Sequence, residues 1–124
     1  MDTLLYVAAI LLIIISFAHS YLGERYILIR LFKRNNLPKL FGSDAFTKKT
    51  LRFAWHITSI AWCGFAALLV VIAQPQLSTK TLATVIATTF FLHGLLSLVA
   101  SQGKHLSWIV FFAIFGCTLI GINA

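Results

Sequence analysis

Residues 4–22 read LLYVAAILLIIISFAHSYL, and this run decides the fold class because it contains no Asp, Glu, Lys or Arg. A helix rises 1.5 Å per residue, so about 20 apolar residues cross a hydrocarbon core about 30 Å thick. Three further apolar runs follow at about 51–73, 81–100 and 106–122, and Arg52 is the only such charge in them. Unpaired backbone is costly in lipid, so we expect each run to form one continuous helix.

The composition agrees with a lipid environment. The 124 residues are 60% hydrophobic and 10% charged, whereas soluble domains are about 25% charged. The sequence therefore predicts an all-α integral membrane protein, with residues 1–124 forming a single domain. We expect a four-transmembrane-helix antiparallel bundle in the lipid bilayer of a cell membrane, most simply a bacterial inner membrane.

The positive charges predict the orientation of the bundle. Eight of the ten Lys and Arg residues lie between the first run and the start of the second: Arg25, Arg30, Lys33, Arg34, Lys39, Lys48, Lys49 and Arg52. Positively charged loops stay in the cytoplasm. The N-terminus and the C-terminus are therefore expected outside, and residues 23–50 form an amphipathic basic segment inside. Topology and anionic headgroups explain the charge without a nucleic-acid partner.

Signals within segment 23–50 predict a helix break. Asn35 to Pro38 should end any extension of the first helix, because proline disfavours helical backbone in the residue before it. Ser43 or Asp44 can then cap a new helix that begins near Ala45.

Each apolar run carries or adjoins one histidine, and these residues suggest the chemistry. They are His19, His56, His93 and His105. In the predicted topology the first three lie about 5–11 Å below the inner surface, and the fourth lies near it. Polar side chains in lipid point into the bundle, so we expect the histidines to share an interior. The polar residues expected to orient them are Ser97, Thr89, Ser59, Ser16 and Glu24.

Converging imidazoles are typical ligands of a cofactor. Two histidines from different helices can hold a b-type haem from both faces, and Gly64 and Gly94 could leave room for the macrocycle. The leading prediction is a membrane-embedded, histidine-ligated protein that binds haem b on the cytoplasmic side and transfers electrons or handles haem. His93 and His56 are the first candidate ligands, followed by His19 and then His105.

Three other interpretations stay open. The same four histidines could form a transition-metal site for copper, iron or zinc. The chain could instead be a cofactor-free accessory protein that binds partner helices of a redox partner or membrane complex. A stripe of small residues spaced by four, Ala113, Cys117 and Gly121, favours close helix contact and a possible homodimer. The third interpretation is a small-solute transporter that relays protons through its histidines. The sequence identifies no catalytic residue.

Overall fold

The computed structural model describes residues 2–124, and within that range the chain is helical with no strand. Four helices are present: α1 (Asp2–Leu31), α2 (Ala45–Ile72), α3 (Thr79–Ser101) and α4 (Ser107–Asn123). The prediction of an all-α chain with four apolar helices is confirmed. The first three are long and apolar enough to cross a membrane, whereas α4 has 17 residues, the lower end of the usual length of a span.

The first helix continues well beyond its predicted end. After the α-helical part Asp2–Gly23 it passes through a π-helical turn, Glu24–Leu28, and ends at Leu31. Gly23 lies directly against the indole ring of Trp55 in α2, where a Cβ atom would overlap the ring. The Trp55 side chain therefore packs on the backbone of α1 immediately before the π turn begins.

The basic segment comprises the end of α1, an irregular connection and the first turns of α2. In the connection, the Leu40 amide donates to the Ser43 carbonyl at 2.9 Å. The second helix begins at Ala45, as predicted, and the Ala45 amide donates to the Ser43 hydroxyl at 3.3 Å. Asp44 pairs with Lys48 at 3.0 Å one turn later.

Short turns connect the remaining helices. The Ser78 hydroxyl accepts a hydrogen bond from the Thr81 amide and caps α3. At the other end of α3, Gln102 and Gly103 have φ angles of 54° and 77°, the left-handed conformation that commonly ends a helix. We call the end of the molecule where α1 and α3 end and α2 and α4 begin the basic end.

The helices pack in chain order. Close backbone contacts join α1 to α2, α2 to α3 and α3 to α4, and residues 2–124 show no such contacts between other pairs of these helices. The helices thus form a row with α2 and α3 at its centre. One consequence is an open space between α1 and α3 above the surface of α2.

Small residues form the helix contacts, and large apolar residues face outward. The buried positions include Ala66, Ala87 and Ser97, whereas Phe17 and Ile120 are each 72% exposed. Soluble proteins bury their large apolar side chains. Close approach at small residues is typical of helices that pack in lipid.

We expect Gly64→Ala to destabilise the contact between α2 and α3. A Cβ atom at this position would lie 2.5 Å from Thr89 Oγ1 and 2.7 Å from its Cγ2, and overpacking of this kind costs about 1–3 kcal/mol. The measurement is the free energy of unfolding in detergent.

Gly116→Ala is the matched control, because no atom of residues 2–124 lies within 4 Å of a Cβ atom built there. That variant should be neutral or more stable by about 0.5–1 kcal/mol, the helix-propensity gain of alanine over glycine. Equal effects of the two substitutions would contradict the packing of α2 against α3.

Candidate functional site

A groove of about 650 Å³ lies between α1 and α3, with α2 as its floor. The floor is made mainly of small side chains, among them Ser59, Cys63, Gly64 and Ala67. The walls are largely apolar and come from Phe17 of α1 and from residues of α3 such as Leu92, Leu96 and Val85. The volume lies in the range of sites that bind small molecules, about 300–1,000 Å³.

Polar side chains gather at the end of the groove nearest the basic end. His56 Nδ1 lies 2.9 Å from the Ser20 hydroxyl, and its Nε2 lies 3.0 Å from Glu24 Oε2. The Ser20 hydroxyl lies 2.6 Å from the hydroxyl of Ser59 on α2. A continuous hydrogen-bonded chain therefore runs from Glu24 through His56 and Ser20 to Ser59.

The carboxylate of Glu24 is held from two sides. Arg52 Nη2 lies 2.7 Å from Oε1, and Arg52 Nε donates to Oε2 at 3.2 Å. This two-point geometry is the strong form of an arginine–carboxylate pair. The guanidinium carbon of Arg52 also lies 4.9 Å from the centre of the Phe32 ring. Glu24 thus joins α1 to α2 through one cation and one imidazole.

The local fold explains why these groups meet. Ser20 and Glu24 are four residues apart on α1, and so are Arg52 and His56 on α2, so each pair shares one helix face. Glu24 also begins the π-helical turn. Single π turns inside α-helices occur frequently at functional sites.

His19 lies in a different environment. Its ring stacks on Trp55 with the two planes 2° apart and the centroids at 4.6 Å. His19 Nε2 lies 3.3 Å from the Trp55 carbonyl, and the Trp55 indole donates to the His19 carbonyl at 2.9 Å. A separate cavity of about 270 Å³ lies beside this pair. These contacts give His19 a role in packing α1 against α2.

His93 is buried between α3 and α4. Its Nδ1 donates to the Thr89 carbonyl one turn earlier at 2.7 Å. The Phe90 and Phe111 ring centroids lie at 5.2 and 5.3 Å. Four residues after His93 on α3, the Ser97 hydroxyl lies 2.5 Å from the Ser107 hydroxyl at the start of α4. A small cavity of about 100 Å³ adjoins His93.

His105 lies at the start of α4. Its Nδ1 is 2.9 Å from the Ser107 hydroxyl. Its ring packs against Phe46 and Phe53 of α2, with centroids at 5.9 and 5.1 Å. His105 therefore helps to hold α4 beside the beginning of α2.

The structure gives each histidine its own partners. Across residues 2–124, no hydrogen bond or ring contact joins two of the four, and no three His, Cys, Asp or Glu side chains are grouped to hold a metal. The spaces beside Gly64 and Gly94, expected to admit a macrocycle, are filled by the side chains of Thr89 and Phe112. The predictions of haem b and of a copper, iron or zinc site stay predictions.

The other polar residues singled out in the sequence differ in their partners. Ser16 donates to the Leu12 carbonyl, and the Thr89 hydroxyl donates to the Val85 carbonyl, both within their own helices. Glu24 and Ser59 are the two that belong to the hydrogen-bonded chain around His56. Ser20, which links His56 to Ser59, and Arg52, which holds Glu24, were not among the predicted site residues.

The small-residue stripe of α4 faces away from the other helices. Ala113, Cys117 and Gly121 are all exposed, and nothing lies within 4 Å of a Cβ atom at Gly121. No other part of residues 2–124 covers this face, and the homodimer stays a prediction.

No family model, curated protein or solved structure matches this chain. The groove and the chain of hydrogen bonds at its polar end are therefore the basis for assigning a function.

Proposed function

We propose that the chain is a multi-pass protein of the cell membrane, with all four helices spanning the bilayer and the basic end in the cytoplasm. Three helices are long and apolar enough to cross a membrane. Large side chains such as Phe17 and Phe65 are exposed along them, as lipid-facing residues would be. The concentration of Lys and Arg around segment 23–50 supports the orientation.

We expect a membrane-impermeant maleimide to distinguish the two ends of the molecule. The experiment introduces Asn36→Cys at the basic end and Gln76→Cys in the opposite loop, both at exposed positions. Each is made in a Cys63→Ala, Cys117→Ala background. Gln76→Cys should react in intact cells, and Asn36→Cys only after permeabilisation. The reverse pattern would contradict the orientation, and equal labelling in intact cells would contradict a spanning chain.

We also propose that the groove between α1 and α3 binds a lipid-soluble small molecule, with His56 at its polar end. The observation that supports this most is the position of His56, the only histidine of residues 2–124 in the lining of a groove whose surface is largely apolar, fixed there by Glu24 and Ser20. Ligand sites in proteins combine an apolar lining with a few placed polar groups that fix orientation. An amphipathic molecule with one polar end matches that distribution.

Hydrogen bonding suits this site better than coordination of a haem iron. Both ring nitrogens of His56 lie within hydrogen-bonding distance of a partner, so an iron atom would have to displace Glu24 or Ser20. A second axial histidine would have to come from His19, His93 or His105, each packed elsewhere. The absorption spectrum separates the two ideas, because a Soret band that His56→Ala removes would favour haem.

We expect a substitution that fills the groove to remove a bound ligand. Ala67→Trp places an indole on the groove floor, and Ala113→Trp, at an exposed alanine outside the groove, is the matched control. Native mass spectrometry of the wild type and of Ala113→Trp should show one lipid-soluble compound per chain. Ala67→Trp should lack it.

Melting temperatures of the three proteins check that each is folded. A wild-type protein without such a compound, or an Ala67→Trp variant that retains it, would contradict the proposal. The first of these outcomes would favour the accessory or transporter interpretation.

A further inference from the structure

The hydrogen-bonded chain from Glu24 through His56 and Ser20 ends at Ser59. It can present either a hydrogen-bond donor or an acceptor to the groove. When His56 is neutral and donates from Nε2 to Glu24, its Nδ1 accepts from Ser20 and Ser20 accepts from Ser59. The Ser59 oxygen is then left as an acceptor. When His56 is protonated, Nδ1 donates to Ser20 and Ser20 donates to Ser59. The Ser59 hydroxyl is then free to donate to a ligand. The polar end therefore suits a headgroup that exists both as a carbonyl and as a hydroxyl.

The charges at this end disfavour an anionic headgroup. Glu24 places a carboxylate beside His56, and the guanidinium of Arg52 is taken up by that carboxylate. Lys49 donates to the Gln102 side chain at 2.6 Å. Among residues 2–124 no Lys or Arg side chain lines the groove, so a phosphate at its polar end would have no cationic side chain to pair with. An uncharged headgroup needs no such partner.

The shape of the groove calls for a long apolar tail. From His56 to Ala67 the groove follows α2 for 11 residues, which is about 16 Å at 1.5 Å per residue. Beyond the polar end its lining is dominated by apolar atoms of residues such as Ile60, Leu92 and Val85. The open side between α1 and α3 would let a longer tail continue into lipid.

We propose that the ligand of this groove is an isoprenoid quinone. Its ring would lie at Ser59 and His56 with a carbonyl oxygen accepting from the chain, and its tail would follow α2 towards Ala67. This inference rests on the proposed function, since it names the class of molecule that the groove binds. Among uncharged membrane-soluble molecules, a quinone accepts a hydrogen bond at a ring carbonyl in its oxidised form and donates one from a ring hydroxyl in its reduced form. A hydrogen-bonded chain that can reverse direction can pair with either form, whereas a sterol or a diacylglycerol carries the same hydroxyl throughout.

The experiment compares two probes that have the same ten-carbon tail and differ in the ring. Decylubiquinone has a benzoquinone ring and a ten-carbon tail, and decylbenzene has the same tail on a ring without oxygens. Each is titrated into the ligand-stripped protein in detergent, and binding is followed by calorimetry. We expect decylubiquinone to bind several-fold to about tenfold more tightly, because the Ser59 hydroxyl would donate to its carbonyl, a neutral hydrogen bond contributes about 0.5–1.5 kcal/mol and 1.4 kcal/mol is tenfold.

Variants locate the site. Ala67→Trp should abolish binding of decylubiquinone, and Ala113→Trp should bind it as the wild type does. His56→Ala should weaken binding about tenfold while leaving the affinity for decylbenzene unchanged. Ser20→Ala is a milder variant that breaks the same chain, and it should act in the same direction if His56→Ala fails to fold.

The outcomes separate this inference from the proposed function. Equal affinity for the two probes, with Ala67→Trp blocking both, would overturn the quinone and leave a groove that binds apolar chains. Decylubiquinone binding that Ala67→Trp does not change would also overturn the inference, because the quinone would then lie elsewhere. If neither probe binds, the quinone is overturned, and the compound retained by the wild-type protein decides whether the groove has another ligand.

Discussion

A single carboxylate constrains the packing of α1 against α2. Glu24 lies near the end of a long apolar helix, with its side chain about 30% exposed. Arg52 and His56 on the facing helix both pair with its carboxylate. Because both partners lie on one face of α2, the pairing sets the register of the two helices. The same register brings the hydroxyls of Ser20 and Ser59 together and so creates the polar end of the groove.

The groove follows from how the helices pack. Without a hydrophobic driving force between helices in lipid, contacts form where small residues allow backbones to approach closely. Gly23 against Trp55 and Gly64 against Thr89 are contacts of this kind. They join α1 to α2 and α2 to α3, and Gly94 against Phe112 joins α3 to α4. Within residues 2–124, α4 therefore does not cover the open side of α2. The space left there is where a lipid-soluble molecule would bind.

Much of the fold could be predicted from the sequence, because a helix that crosses lipid requires a long run of apolar residues. The runs located the four helices, and the candidate caps Ser43 and Asp44 located the start of α2 at Ala45. An extension of α1 past its apolar run was one of two expectations for residues 23–34, with Asn35 to Pro38 as its limit, but the end at Leu31 was not located. Residues 23–34 contain no proline that would end a helix, and no pattern in them indicates a π turn.

The site was harder to predict, because a polar stripe does not say which neighbour it faces. Hydroxyls in a helix can bond to their own backbone one turn earlier, as Ser16 and Thr89 do. Their alignment with His19 and His93 therefore carried no information about a shared interior. The four-residue spacings of Ser20 with Glu24 and of Arg52 with His56 were visible in the sequence. Whether the two pairs meet depends on the register between α1 and α2, which the structure shows and the sequence does not.

The most direct measurement is the ¹⁵N magnetic resonance spectrum of histidine-labelled protein in lipid, recorded for the wild type and for Glu24→Gln. Single His→Gln variants assign the four pairs of ring nitrogens. Since Glu24 contacts the ring of His56 and of no other histidine in residues 2–124, we expect the His56 signals alone to move. Unchanged His56 signals, or a larger change at His19, His93 or His105, would contradict the pairing of Glu24 with His56 and the ligand site built on it.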